Sequence, residues 1–281
     1  MLPFSRYTFG TMSLGRKPVE TTLDMKVVRR AMEAGVWFHS SPTYNNGFTF
    51  MVLRRAFDED RPSVPNIIVK VRDATPELMR FEVEDSCRRL GVDRLDVAQL
   101  VSMDPKPGNL VDQLRQGGGP LVEELASLRE RGLVQKAVIY ITPRNADAAV
   151  DAADKSPLID GVTLYWNAVQ FDATEAAWAR IHALQLPVLA LRTLGGSATD
   201  KNYAEKQERL QALVAQADCS STTEFNLRLA ASDDAVNTTI GGTGSLEHLE
   251  EFLAASQSPD PLPVDVLEAT HRLQIEVAPV R

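Results

Sequence analysis

The chain has 281 residues, 44% of them hydrophobic, enough to bury a full core and within the size that one α/β barrel reaches. Its formal net charge of -8 excludes the clustered basic surface that nucleic acid or an anionic membrane requires, which leaves small molecules or other proteins as partners. The first residues lack a basic stretch followed by an apolar one, and no run of about eighteen apolar residues occurs, so a soluble, cytoplasmic protein is expected. The two cysteines, Cys87 and Cys219, lie outside any metal-ligand spacing and are expected to be inert thiols, and no metal site is expected.

In chain order, short β-branched or apolar runs alternate with longer helical patterns. Strands are expected at 7–11, 36–40, 66–71, 95–101, 136–141, 161–166, 187–192 and 236–241. Between them helices are expected at 20–34, 47–58, 76–90, 121–131, 144–154, 173–184 and 201–217, with one more after the last strand on the spacing of Leu246, Leu249, Phe252 and Leu253. The third helix is well punctuated. Thr75 can cap it, Pro76 suits its first position, Met79, Val83, Cys87 and Leu90 share a face, and Gly91 stops it. The stretch 104–120, rich in Gly and Pro, has the composition of a lid over a pocket or of a disordered insertion.

Eight strand–helix units in one chain predict a parallel sheet closed as a (β/α)8 TIM barrel, a single domain over residues 1–281. The glycines at 10 and 15 do not form G-x-G-x-x-G, which argues against an open dinucleotide-binding sheet. In a barrel, function gathers at the C-terminal ends of the strands. Those ends hold Met12, His39 to Tyr44, Lys70 to Arg72, Val101 to Asp104, Tyr140 to Thr142, Trp166 and Asn167, Arg192 to Ser197, and Gly241 to Ser245. The last two loops, with Gly195-Gly196 and Gly241-Gly242-Thr243-Gly244 before a helix, suit a phosphate-bearing ligand or simply tight strand-to-helix turns.

Several segments, in order, resemble the aldo-keto reductase family across nearly the whole chain. They are Phe9-Gly10-Thr11-Met12-Ser13-Leu14-Gly15, Ala34-Gly35-Val36 leading to Tyr44, Ile67-Ile68-Val69-Lys70, Leu90 to Val97, Asp104, Arg131 to Val134, Asn167, and Gly242 to Glu251. The resemblance implies a barrel that uses NADP or NAD to transfer hydride to or from a small carbonyl or alcohol substrate. By position Tyr44 is then the proton donor and Lys70 the cation that lowers its pKa. It also implies a cofactor seat at Thr11, Met12, Arg192, Leu194, Gly196, Gly242, Thr243, Gly244, His248 and Glu251. The chain departs from the family pattern at several points. The family's acidic residue falls on His39, or on Ser40 by the count from Gly35. Its histidine falls on Val101, its Ser-Asn pair on Tyr140 and Ile141, its Gln on Thr163 and its stacking tyrosine on Leu191. Gly242 and His248 stand where a cationic pair is common.

Other side chains could make up for these losses. His39 can orient Lys70 or Tyr44 or act as a general base, because imidazole titrates near neutrality. Arg192 can bind a carboxylate or phosphate with its planar fork, or pair with an acid. Gln99 lies lower in the barrel and is expected to pack inside, and Trp166 is either an aromatic wall or packing. Two functions follow: a nicotinamide-dependent oxidoreductase, or a repurposed barrel without redox activity, meaning a lyase or isomerase using Tyr44, Lys70 and His39, or a non-catalytic binding protein.

Overall fold

A computed structural model of the protein describes residues 4–16, 21–101, 107–193, 203–257 and 260–276. The β-branched and aromatic runs form strands β1 (Tyr7–Gly10), β2 (Trp37–Ser40), β3 (Ile67–Arg72), β4 (Leu95–Val101), β5 (Val134–Tyr140), β6 (Gly161–Asn167), β7 (Gln170–Phe171), β8 (Val188–Leu191) and β9 (Val236–Gly242). All but β7 run parallel in the order β5-β4-β3-β2-β1-β9-β8-β6, and β5 also pairs with β6, which closes the ring. This is the expected (β/α)8 barrel. β7 is a short ribbon antiparallel to the end of β6.

Parallel neighbours need crossovers, and helices supply them. These are α1 (Thr21–Glu33), α2 (Phe48–Glu59), α3 (Pro76–Leu90), α4 (Leu110–Gln116), α5 (Pro120–Glu130), α6 (Ala146–Lys155), α7 (Glu175–Leu184), α8 (Tyr203–Gln216), α9 (Thr222–Ala231), α10 (Leu246–Ser256) and α11 (Val264–Glu276). The caps of α3 follow the sequence: the Thr75 side chain accepts from Leu78 N–H, and Gly91 takes the left-handed conformation at φ 69°. Three helices were not expected. In the stretch read as lid or insertion, Asn109 caps α4, whose Leu110, Val111 and Leu114 are buried and pack beside α6, so this part is neither lid nor loose insertion. α9 and α11 are the others, both carrying buried apolar faces.

Side-chain alternation divides the core into two layers. One face of the strands, with Phe9, Phe38, Val69 and Val71, packs outward against the helices. The other fills the barrel with Trp37, Ile68, Val97, Val138, Leu189 and Ile240. On this period Lys70, two residues beyond Ile68, faces into the barrel, as does His39 beyond Trp37. Gly242 is needed where β9 meets β1, since a Cβ there would lie 2.4 Å from the Gly10 carbonyl oxygen. Of the two thiols, Cys87 is buried, which pushes its pKa up to about 11, and Cys219 is half-buried. Among the described residues no helix is long and apolar enough to cross a membrane.

Candidate active site

A cavity of about 320 Å3 opens at the C-terminal ends of the strands, between β1, β2, β3, β6, β8 and β9. It gathers His39, Tyr44, Lys70 and Arg192 together with Thr11, Met12 and Gly242. Seven of the residues singled out from sequence therefore meet in one place.

Tyr44 owes its position to a chain of local restraints. It opens a single helical turn, Tyr44–Gly47, in which Asn45 (φ 49°) and Asn46 (φ 55°) are left-handed, a conformation asparagine tolerates better than most residues. The Asn45 amide nitrogen donates to the carbonyls of Leu14 at 2.6 Å and Met12 at 2.9 Å, tying this turn to the loop after β1. From below, Arg89 on α3 donates to the carbonyls of Gly47 at 3.0 Å and Pro42 at 3.3 Å. The stretch is the turn its composition suggests, and it also delivers a phenol to the cavity.

Lys70 stands over the face of the Tyr44 ring, its Nζ 5.3 Å from the ring centroid. Burial and then the nearby charge of Arg192 lower its pKa from the ordinary lysine value. Its neighbour at the strand end, Arg72, is drawn away by buried Glu82, which accepts from the Arg72 backbone N–H at 2.6 Å and pairs with its guanidinium. Burial raises the Tyr44 phenol, the Tyr165 phenol adds to the rise, and Arg192 opposes it. The cation that opposes this rise is Arg192, while Lys70 stands over the π face of the ring.

His39 answers the ambiguous count for the family's acid. It faces the cavity, whereas Ser40 faces away and takes a hydrogen bond from the Thr11 hydroxyl at 2.8 Å. His39 Nε2 lies 2.7 Å from Gln99 Oε1, so the imidazole donates there, bridging from β2 to β4, where Gln99 is the strand partner of Lys70. Complete burial, reinforced by the Lys70 charge, holds its pKa at about 3 despite the bond to Gln99. The imidazole is thus held neutral, with Nε2 committed to Gln99. Gln99 packs inside as expected, and among the described residues its Nε2 has no hydrogen-bond partner.

Arg192 follows β8 directly, in the left-handed region at φ 55°. The conformation costs a non-glycine residue about 1–2 kcal/mol. Asn167 at the end of β6 holds it by donating to the Arg192 carbonyl at 2.9 Å, and the Thr193 hydroxyl bonds back to the Ala190 carbonyl at 3.0 Å. The turn aims the guanidinium over the Tyr165 ring, 4.4 Å from its centroid. Tyr165 itself, with Tyr140 edge-on at 5.8 Å between centroids, forms the aromatic wall of the cavity. Trp166 points the other way and packs with Phe171 and Trp178, so it is packing. The sequence reading passed over Tyr165, although period-two alternation from Thr163 would have turned it inward. Asp172, just past the ribbon β7, is 5% exposed, and burial raises its pKa to about 6, with Gln170 and Arg192 opposing.

The remaining cofactor candidates are more dispersed. Thr243 is buried and accepts from the Ser245 N–H at 3.0 Å, and Ser245 in turn caps α10 by accepting from His248 N–H. Gly244 has open space around it, since a Cβ there would make only ordinary contacts. The exposed His248 ring stacks on Phe252. Glu251 accepts from the Ser221 hydroxyl at 2.9 Å and lines a separate groove of about 390 Å3 between α9 and α10. Leu194, Gly196 and Asp104 lie outside the described residues.

The barrel matches solved structures along nearly the whole chain. An aldo-keto reductase from Bacillus halodurans, in its holo form, superposes with a TM-score of 0.75 at 18% identity over 96% of this chain and 92% of its own. One from Klebsiella pneumoniae in complex with NADPH gives 0.76 at 17% identity over 100% and 98%. Another from that organism, in complex with NADP and acetate, gives 0.68 at 17% identity over 99% and 93%. At such identities these likenesses establish the fold. No curated protein matches the chain in sequence. The model of the aldo/keto reductase family matches residues 6–271, and the chain belongs to that family.

Proposed function

We propose that this protein is a cytoplasmic nicotinamide-dependent oxidoreductase that interconverts a small carbonyl compound and its alcohol, with Tyr44 as the proton donor. The observation that carries the proposal is the convergence of Tyr44, Lys70 and Arg192 in one cavity that runs on to Gly242, beside the start of α10. Membership of the aldo/keto reductase family and the cofactor-bound structures that share the fold support an oxidoreductase.

The backbone donors at the phosphate end fit such a cofactor. Gly242, Thr243, Gly244 and the free N–H groups that open α10 would hold its phosphates, and the apolar Leu191 and Ile240 would flank its ring. When bound, it would supply or accept the hydride. The chain's own residues do the rest. Tyr44, kept protonated by burial, gives its proton to the carbonyl oxygen, and Arg192 stabilises the phenolate left behind. Lys70 packs against the phenol face and fixes the ring. His39, neutral and anchored on Gln99, ties β2 to the strand that pairs with Lys70.

The first turns of α10, from Leu246 to Phe252, offer one imidazole and no Lys or Arg to a 2'-phosphate. NADH and NADPH should therefore bind with affinities within about tenfold of each other, since charge-assisted bonds worth about 1.5–3 kcal/mol are missing. Titration of folded protein with each cofactor, read by fluorescence quenching and melting temperature, tests the proposal. Saturable micromolar binding is expected. Failure of both to bind would favour the second reading, proton transfer without redox, in which Lys70, its pKa lowered by burial and then by Arg192, faces Tyr44.

A further inference from the structure

The cavity carries two cationic side chains, Lys70 and Arg192, and among the described residues no aspartate or glutamate lines it. Among the described residues neither cation has a carboxylate within ion-pair distance, although surface arginines throughout the chain pair freely, as Arg29 does with Glu59 and Arg30 with Glu250. Like charges held close together in a pocket repel each other, and after burial this repulsion from Arg192 is the second cause of the lowered pKa of Lys70. The acid nearest in effect is Asp172. It does not line the cavity and makes no ion pair with Arg192 among the described residues. Arg192 is also a built feature: a left-handed residue outside glycine, pinned through its carbonyl by the fully buried Asn167, with its guanidinium over the Tyr165 ring. A guanidinium stacked on a ring keeps its in-plane N–H fork free for a carboxylate.

We propose that the cavity takes a carbonyl compound bearing a carboxylate, and that Arg192, assisted by Lys70, binds this carboxylate while the carbonyl meets Tyr44. The inference rests on the oxidoreductase reading for the reacting carbonyl, but the anion subsite can be read without turnover. It also moves Arg192 from the cofactor seat expected from sequence to the substrate. An aldehyde acid or 2-oxo acid has the required chemistry, and its neutral counterpart lacks the charge that two unpaired cations select.

The test is calorimetric titration with malonate, which has carboxylates and no reactive carbonyl, into wild type, Arg192→Gln and Arg192→Lys, with and without saturating NADP+. Wild type should bind malonate together with NADP+, Arg192→Gln should bind it about 10- to 100-fold more weakly, and Arg192→Lys should fall between. Affinity for NADP+ should be the same in all three. If Arg192→Gln does not fold, the intermediate loss in Arg192→Lys carries the comparison. Equal malonate affinity in wild type and both variants would overturn the proposal. So would competition between malonate and NADP+ together with weakened NADP+ binding in the variants, which would assign the guanidinium to a cofactor phosphate. Malonate binding without NADP+ binding would sink the oxidoreductase reading and leave this subsite standing, whereas NADP+ binding without malonate binding would do the reverse. In turnover, Arg192→Gln should lower kcat for both substrates, because Arg192 also stabilises the Tyr44 phenolate, whereas the KM should rise by that factor for 4-oxobutanoate and much less for butanal.

Discussion

The neutral, buried imidazole of His39 makes the fold sensitive to acid, and the magnitude can be worked out. In the folded protein His39 has a pKa of about 3, against about 6.5 for an unfolded histidine. Between those values the unfolded chain binds the proton and the folded one refuses it, so stability from this group is complete above about pH 6.5 and is lost as the pH falls toward 3. The full loss is about 5 kcal/mol, and between pH 7 and pH 5 it is about 2 kcal/mol, a large part of a typical domain's stability. His39→Asn removes the titration and keeps an amide for Gln99. The assay is urea unfolding of both proteins at pH 7 and pH 5. The variant should be less stable at pH 7, from imperfect packing, yet its loss on going to pH 5 should be smaller than that of wild type by about 2 kcal/mol. All other titrating groups are common to both proteins and cancel. An equal pH dependence in the two, within about 0.5 kcal/mol, would refute the reasoning and mean that the imidazole is charged or hydrated in the folded state.

Asp172 works in the opposite direction. Its carboxyl is raised to about 6 by burial, so ionising it costs the fold up to about 3 kcal/mol as pH climbs from 4 to 8. Asp172→Asn should accordingly be more stable than wild type at pH 8 and show no gain at pH 4, and a melting temperature that fails to rise at pH 8 would contradict this. Gly242→Ala would push a Cβ to 2.4 Å from the Gly10 carbonyl and should cost about 1–3 kcal/mol by overpacking, measured as a lower denaturation midpoint. The alkaline limb of the rate profile should lie below the ordinary lysine range, because burial and Arg192 lower Lys70. Lys70→Met should abolish that limb, and a profile unchanged in the variant would clear Lys70 of any part in it.

Much of the barrel could be read in the sequence, because strand alternation and helix punctuation are local. Thr75, Pro76 and Gly91 bracket α3 within one stretch of chain, and Ile68 and Lys70 share a face by period alone. The expected strand at 187–192 ends early at Leu191 because Arg192 leaves the extended region, which residue type alone does not predict. The site was readable in part for the same reason. Tyr44, Lys70 and Gly242 could be placed from strand ends. What escaped depends on pairings across strands: His39 with Gln99, sixty residues apart, and Arg192 with Tyr165 and Asn167. α4 was missed because the glycines and prolines around it dominated the composition of a stretch whose Leu110, Val111 and Leu114 are buried.

The central claim is that Tyr44 is the acid of a carbonyl-reducing cavity shared with a nicotinamide. Comparing NADPH consumption and cofactor affinity in wild type and Tyr44→Phe, across a panel of small aldehydes with and without a carboxylate, addresses it most directly. The account predicts alcohol formed in step with cofactor consumed in wild type, and a variant that is folded and binds NADPH equally well yet turns over at least about a hundredfold more slowly. Turnover within a few-fold of wild type in Tyr44→Phe would contradict it.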